Sequence, residues 1–268
     1  MTTNFENIIY EIKDEIGTIT LNRPKVLNAV NYPMMREIMQ VLDSAEDDKK
    51  VRVIVLKGQG RAFSSGADFK EMDDLVERWK KDPHAYIKNI QQLEHTLLLR
   101  LKKFEKPTIA QVKGYAIGIA SGIALSCDVR IVSEEAIFGP RFVRLGIMPG
   151  DGDTSMLPLL VGFGHAMEYL LTGQDIQAKD AYRMGLANRI VPIEKLDETT
   201  KEMAEKFLIA APRAVASTKA AINSMFVPVV EAELAFSLRM QTLLKQTSDH
   251  QEALKAFLEK RKPKFTGN

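Results

Sequence analysis

The chain has 268 residues, of which 45% are hydrophobic and 27% charged, with a formal net charge of +2. A chain of this size can bury a sizeable core in one large domain, or one domain plus a helical appendage, without metal or disulfide staples. The small positive excess argues against a dedicated nucleic-acid binder and suits an anionic small molecule held by a few lysines, and the single cysteine excludes an internal disulfide and fits a reducing cytoplasm.

The first residues carry Glu6, Glu11 and Asp14 with no basic and then apolar leader, so no secretion signal is expected. Ile8, Tyr10 and Ile12 alternate, as do Ile19 and Leu21 beyond a turn at 14–17, which predicts a strand hairpin ended by Arg23 and Pro24. Residues 32–45 place Met35, Ile38, Met39 and Leu42 on one helical face. The nearly continuous apolar run 51–56 reads as a parallel strand covered on both sides. After a loop at 57–65, a helix is expected to begin at 66–72. Residues 73–104 read as polar helix, with Pro83 opening a new one. Strands follow at 108–112, 129–132 and 136–139, and helices at 154–161, 165–172 and 178–184. A strand at 189–191 precedes a region that is helical from 196 to 258, and Lys260, Arg261, Lys262 and Lys264 form a basic tail. Alternating strands and helices followed by helices alone predict an α/β core over residues 1–195 and a helical segment over 196–268.

The longest apolar run, 109–127, is a membrane-span candidate by composition. Lys113 lies inside it, Gly114, Gly118 and Gly122 interrupt it and Asp128 ends it, so a buried strand and a tightly packed helix fit it better. On a helix those three glycines would share one face and let a backbone or ligand approach closely. Each glycine inside a helix costs about 0.5–1 kcal/mol relative to alanine, which demands a packing or a binding reason. A strand–glycine–helix junction also aims free N–H groups and the positive helix end at an anion or a polarised carbonyl.

The stretch from Gly114 to Asp128, GYAIGIASGIALSCD, resembles the active-site helix of the enoyl-CoA hydratase/isomerase (crotonase) family. GRAFSSGADFKEM from Gly60 resembles that family's other fingerprint, and FGPRFVRLGIMPG from Phe138 its second active-site segment. Residues 21–29, 178–192 and 256–265 resemble its early turn, late helix and strand, and C-terminal signature. The resemblance implies a spiral α/β core of repeated ββα units with a helical C-terminal trimerisation segment, assembled as a trimer or dimer of trimers. It implies an acyl-CoA thioester as substrate, no cofactor beyond the coenzyme A moiety, no nucleic acid and no membrane. It also implies an oxyanion hole made by the backbone N–H groups of Ala67 and Ile119, each such donor contributing about 3–4 kcal/mol to lowering a barrier. Ile119 stands where glycine is usual, so its side chain must point away or narrow the pocket. Substrate contacts are expected along Lys25, Val26, Ala62, Ser65, Asp68 and Phe69. Others are expected at Gly118, Gly122, Arg141, Phe142, Gly150 and Lys260, with the tail lysines near the coenzyme A phosphates.

By the same resemblance, Gly122 and Phe142 occupy the two places where hydratases carry catalytic glutamates. The acids left nearby are Asp151 and Asp153. Asp151, between two glycines, is read as a general base or nucleophile, or else as a polar turn residue. Asp153 is a catalytic candidate better placed to cap the following helix. Arg141 and Arg144 could bind an acidic substrate group or form ion pairs. His95 is expected to face solvent or the pocket rim, Cys127 to be a buried small hydrophobe, and Trp79 to sit on an amphipathic helix. The histidines have no metal-ligand spacing, so no metal is expected. Water addition to an enoyl-CoA, cyclic acyl groups included, ranks first. Double-bond isomerisation and hydrolysis or dehalogenation of a cyclic or aromatic acyl-CoA follow. A non-catalytic acyl-CoA- or RNA-binding member of the family is the alternative.

Overall fold

The computed structural model describes residues 5–68 and 91–268, with the side chains of 91 and 92 excepted. The expected helix beyond residue 68, the polar stretch up to 90, and with them Phe69, Pro83 and Trp79, lie outside the described residues.

Strands β1 (Ile8–Lys13) and β2 (Ile16–Leu21) form the predicted antiparallel hairpin. Its turn is made by Asp14 and Glu15, both at positive φ (51° and 61°), the handedness that suits the twist of the flanking strands. β2 pairs in parallel with β3 (Val53–Gly58), and β3 with β4 (Thr108–Val112). β6 (Val129–Ser133) and β9 (Arg189–Val191) complete a sheet of order β1-β2-β3-β4-β6-β9. A second sheet joins β5 (Tyr115–Ile117), β7 (Ile137–Gly139) and β8 (Ile176–Gln177). Each of β4 and β6 is followed after a sharp bend by a strand of the second sheet, β5 and β7. The isolated bridge Ser64↔Ala116 repeats the pattern after β3. This is the repeated ββα unit that was expected.

The described helices are α1 (Tyr32–Asp47), α2 (Thr96–Lys103), α3 (Ile119–Ser126), α4 (Asp153–Val161), α5 (Phe163–Thr172), α6 (Ala178–Arg183), α7 (Leu196–Leu208), α8 (Pro212–Leu244) and α9 (Ser248–Leu258). Asn31 caps α1 by accepting from the Met34 N–H at 3.0 Å, and Met34, Met35, Ile38, Val41 and Leu42 turn inward from it. They meet Leu97, Leu98 and Leu101 of α2 and Ile119, Ile123 and Ala124 of α3 in one core.

The apolar run 109–127 is β4, a turn, β5 and then α3, not one helix. The three glycines therefore do not form a helical stripe. Gly114 (φ 54°) turns the chain into β5, Gly118 (φ 53°) is the residue before α3, and only Gly122 is inside it. Both turns need a backbone conformation that side-chain-bearing residues adopt at a cost. One helix among the described residues, Pro212–Leu244, is long and apolar enough to cross a membrane by length and composition. It buries Val227, Val230, Leu234 and Leu238 and leaves Ile222, Met225, Val229 and Phe236 exposed.

Candidate active site

The loop after β3 is held in place by one buried side chain. Asn28 donates to the carbonyls of Gln59, Ala62 and Phe63 at 2.8, 3.0 and 3.2 Å, and accepts from the Arg23 N–H at 2.9 Å. Farther on, the Val30 N–H donates to Gly66 and the Asp68 N–H donates to Val30, at 2.7 and 3.0 Å. Groups alternate in direction along an extended chain, so the N–H of the intervening Ala67 points to the opposite side. Gly66 (φ 98°) abuts Ile117: a β-carbon there would stand 2.7 Å from the Ile117 carbonyl. That contact brings Ala67 beside the junction of β5 and α3.

At this junction the Gly118 N–H is used, donating to Gly139 at 3.1 Å. Ile119 opens α3, where an N–H has no acceptor within its own helix. Neither Ala67 nor Ile119 has an acceptor for its N–H among the described residues. Ile119 is 3% exposed and belongs to the core, so its side chain points away from the junction. The Phe142 ring approaches from the other side, 3.6 Å from where a β-carbon on Gly118 would be. It is half-buried and forms a wall rather than core.

Asp151 lies directly against Gly122. A β-carbon on Gly122 would stand 2.5 Å from the Asp151 carbonyl oxygen and 2.9 Å from its β-carbon. Glycine at 122 is therefore what lets this aspartate sit on the first turns of α3. Burial, and then the charges of Glu94, Asp153 and Glu233, push the Asp151 carboxyl well above the usual carboxylate range, against the pull of Lys245.

Asp153 is not the helix cap. Gly152 holds the N-cap position of α4, and Asp153 is its first residue, 1% exposed. One carboxyl oxygen accepts from the Ser121 hydroxyl at 3.4 Å, and the other is buried with no partner among the described residues. Burial and then nearby Glu233 raise this carboxyl to about 8. Glu233, from α8, accepts from the Thr154 hydroxyl at 2.6 Å.

His95 is 7% exposed, not solvent-facing. It ends a π-helical turn, Gln91–His95, and its ring bonds to the backbone of Gly150; burial lowers it to about 4. The loop is also tied to α8, where Gln241 donates to the Met148 carbonyl at 2.9 Å. Arg141 is engaged within the chain, donating to both carboxyl oxygens of Asp175 at 2.7 Å. Arg144 is exposed and donates to the Thr172 carbonyl at 3.1 Å. Cys127 is buried as expected, and burial pushes its thiol up to about 12.

Of the expected groove residues, Ala62 is buried, and Lys25 and Val26 are exposed. The Ser65 hydroxyl donates to the Val26 carbonyl at 3.3 Å, and Asp68 pairs with Arg23 at 2.8 Å. Gly150 faces the Gln241 amide, and Lys260 is exposed at the end of α9 with φ 53°. The tail folds back, with Asp249 accepting from the Thr266 and Gly267 N–H groups at 2.7 and 2.8 Å. Among the described residues no cluster of three or more His, Cys, Asp or Glu is placed to hold a metal ion. Glu94, Lys245 and Glu233 were not singled out from the sequence. The only local signal was an acid and a histidine side by side, Glu94 and His95, in a helix read as polar.

Comparison with known proteins agrees with this architecture. The enoyl-CoA hydratase/isomerase family pattern matches residues 11–268. The short-chain-enoyl-CoA hydratase of Clostridium acetobutylicum is 39% identical over 259 residues, covering 96% of both chains. A probable mitochondrial enoyl-CoA hydratase of Dictyostelium discoideum is 37% identical over 253 residues, covering 94% of this chain and 88% of that one. The crystal structure of an enoyl-CoA hydratase from Mycobacterium avium subsp. paratuberculosis superposes with a TM-score of 0.84 at 28% identity, covering 98% and 100% of the two chains. The chain belongs to the enoyl-CoA hydratase/isomerase family and has the crotonase fold. It is an enzyme of the hydratase/isomerase type.

Proposed function

We propose that the protein is an acyl-CoA lyase that adds water across the double bond of an enoyl-CoA, with Asp151 as the group that moves the proton. The observation that carries this reading is the contact of Asp151 with Gly122, which seats the backbone and β-carbon of Asp151 on the helix whose first N–H has no acceptor among the described residues. The N–H groups of Ala67 and Ile119 would polarise the thioester carbonyl and make the β-carbon electrophilic. Water attacks that carbon, the enolate collapses, and the α-carbon takes a proton. The two oxygens of one carboxyl can serve both ends: one gives its proton to the α-carbon while the other takes the proton that water releases. The carboxyl ends as it began, and no cofactor beyond coenzyme A is required. The coenzyme A moiety would run along Lys25, Val26, Ala62, Ser65 and Asp68, with Lys260 and the tail lysines as phosphate partners. We read the exposed apolar face of α8 as the contact with further copies, in a trimer or dimer of trimers.

The test incubates the protein with straight-chain, alicyclic and aromatic enoyl-CoA thioesters and reads the product mass. Gain of one water supports the proposal. Unchanged mass with exchange of an α- or γ-proton would make it an isomerase, and loss of coenzyme A a hydrolase. Asp151→Asn should lower kcat by about 10²-fold or more, the usual scale for a positioned acid/base group, with little change in affinity for coenzyme A. Near-wild-type turnover in that variant would remove Asp151 from the chemistry.

A further inference from the structure

The segment between Gly146 and α4, which carries Asp151, has no ladder of its own. Among the described residues no backbone–backbone hydrogen bond involves residues 148–151. Its position is set by side chains, and α8 supplies a row of them. Glu233, Ser237 and Gln241 recur at intervals of four, which puts them on one helix face. The Thr154 hydroxyl donates to Glu233 at 2.6 Å, and the Ser155 hydroxyl lies 3.5 Å from the other carboxyl oxygen. The Ser237 hydroxyl lies 3.5 Å from the Gly150 carbonyl oxygen, and the Gln241 amide donates to the Met148 carbonyl at 2.9 Å. The order continues past the end of α8, because the His250 ring of α9 bonds to the Leu145 carbonyl at 2.6 Å. The two helices thus descend through 250, 241, 237 and 233 as the loop rises through 145, 148, 150 and 154.

Burial alone would not select such a row. Val230, Leu234 and Leu238 of α8 are buried apolar residues, and Ser237 is itself fully buried among them. A polar group placed there costs free energy unless it is hydrogen-bonded. All three find partners in residues 148–155. Ser237 holds the loop least, because its hydroxyl also reaches the Leu234 carbonyl at 3.1 Å. Gln241 fits it most closely: a β-carbon on Gly150 would collide with its amide nitrogen. Glycine at 150 and glutamine at 241 therefore belong together as Gly122 and Asp151 do. Asp151 is held at two points, its own backbone against Gly122 of α3 and the preceding residue against Gln241 of α8.

We propose that Gln241 is a positioning residue for the reaction: by holding the Met148 carbonyl and filling the space beside Gly150, it keeps Asp151 seated on Gly122. Ser237 and Glu233 secure the rest of the same loop. The proposal rests on the reading of Asp151 as the proton-moving group, and it assigns the seat of that group to the helical segment outside the α/β core. Gln241 acts through the loop and not on the substrate. Its chemical sense is one of tolerance. Proton transfer needs the carboxyl within hydrogen-bond reach of the reacting carbon and water, and a displacement of about 1 Å can cost on the order of 10²-fold in rate. A loop without a backbone ladder does not hold a side chain to that tolerance by itself.

The test uses Gln241→Met, which keeps the length of the side chain and removes its donor. With an enoyl-CoA thioester that the enzyme hydrates, kcat should fall about tenfold or more, while affinity for coenzyme A, measured by calorimetry, stays within about twofold. Hydrogen exchange read by mass spectrometry should quicken in the peptide spanning 146–152 and stay unchanged in β3 and β4. Gly150→Ala pushes the same amide aside and should reproduce the lower kcat and the faster exchange, so the proposal is tested even where one of the two variants does not fold. Added to Asp151→Asn, Gln241→Met should lower kcat no further, because it acts through that carboxyl. An equal fall in both backgrounds overturns the proposal, since a merely structural role reduces turnover whether or not Asp151 is present. Unchanged kcat or unchanged exchange in Gln241→Met overturns it as well. Normal hydration by Asp151→Asn alone would instead be the failure of the acid/base reading, and the exchange of the loop still decides whether Gln241 holds it.

Discussion

Asp153 offers a measurement in which stability, not turnover, reports on the site. Its carboxyl is 1% exposed, has one long hydrogen bond from Ser121, and leaves its second oxygen without a partner among the described residues. Folding raises it from 3.8 to about 8. Between these values the folded chain keeps a proton that the unfolded chain has released. The stability contributed by Asp153 is therefore complete below about pH 4 and declines as pH rises towards 8, by about 1.4 kcal/mol per unit. At pH 7 the loss amounts to about 4 kcal/mol. Asp153→Asn keeps the size and has no proton to lose. Its stability should match that of the wild type near pH 4 and exceed it by about 4 kcal/mol at pH 7. Urea unfolding across this range measures the difference, at one fixed protein concentration because association with further copies would add its own stabilisation. Asp151, Glu94 and Glu233 are present in both proteins, so their titrations largely cancel. Parallel stability curves for the two proteins would refute the argument, and a lower stability of the variant at every pH would show that Asp153 makes a bond its amide cannot replace.

Three further outcomes are expected. Gly122→Ala puts a methyl group 2.5 Å from the Asp151 carbonyl oxygen, so the loop must move; kcat should fall at least about tenfold, stability should fall by about 1–3 kcal/mol, and an unchanged kcat would show that the contact is loose. Replacing Lys260, Lys262 and Lys264 together by alanine should weaken coenzyme A binding and flatten its dependence on salt, and calorimetry showing unchanged affinity at low ionic strength would remove the tail from the site. Sedimentation should show a trimer or larger at micromolar protein, whereas a stable monomer would leave the apolar face of α8 unexplained.

Strand β3 was legible because a parallel strand buried on both sides must be apolar along its length, as in Val53, Ile54, Val55 and Leu56. The helix α1 was legible from its one-sided apolar pattern. Strand β5 was not, because a run of small apolar residues with glycines four apart fits a helix as well as it fits two turns around a short strand. What separates these readings is the positive φ at Gly114 and Gly118, which a residue name permits without requiring. His95 was read as facing solvent or the pocket rim because helical spacing assumes an α-helix, and the π-helical turn changes which residues face inward. Lys245, whose charge opposes the effect of burial on Asp151, stands just past the far end of α8, a placement no local pattern contains.

The clearest lesson lies in the pair Gly122 and Asp151. Read separately, the glycine is a small residue inside a helix and the aspartate is one more polar residue between glycines. Their contact makes them one feature, because any side chain at 122 would collide with the backbone of Asp151. A glutamate at 122 and an aspartate seated as Asp151 is cannot coexist in this packing. The helix position at 122 and the seat of the loop carboxyl are therefore fixed together, and a change at either residue must be felt at the other.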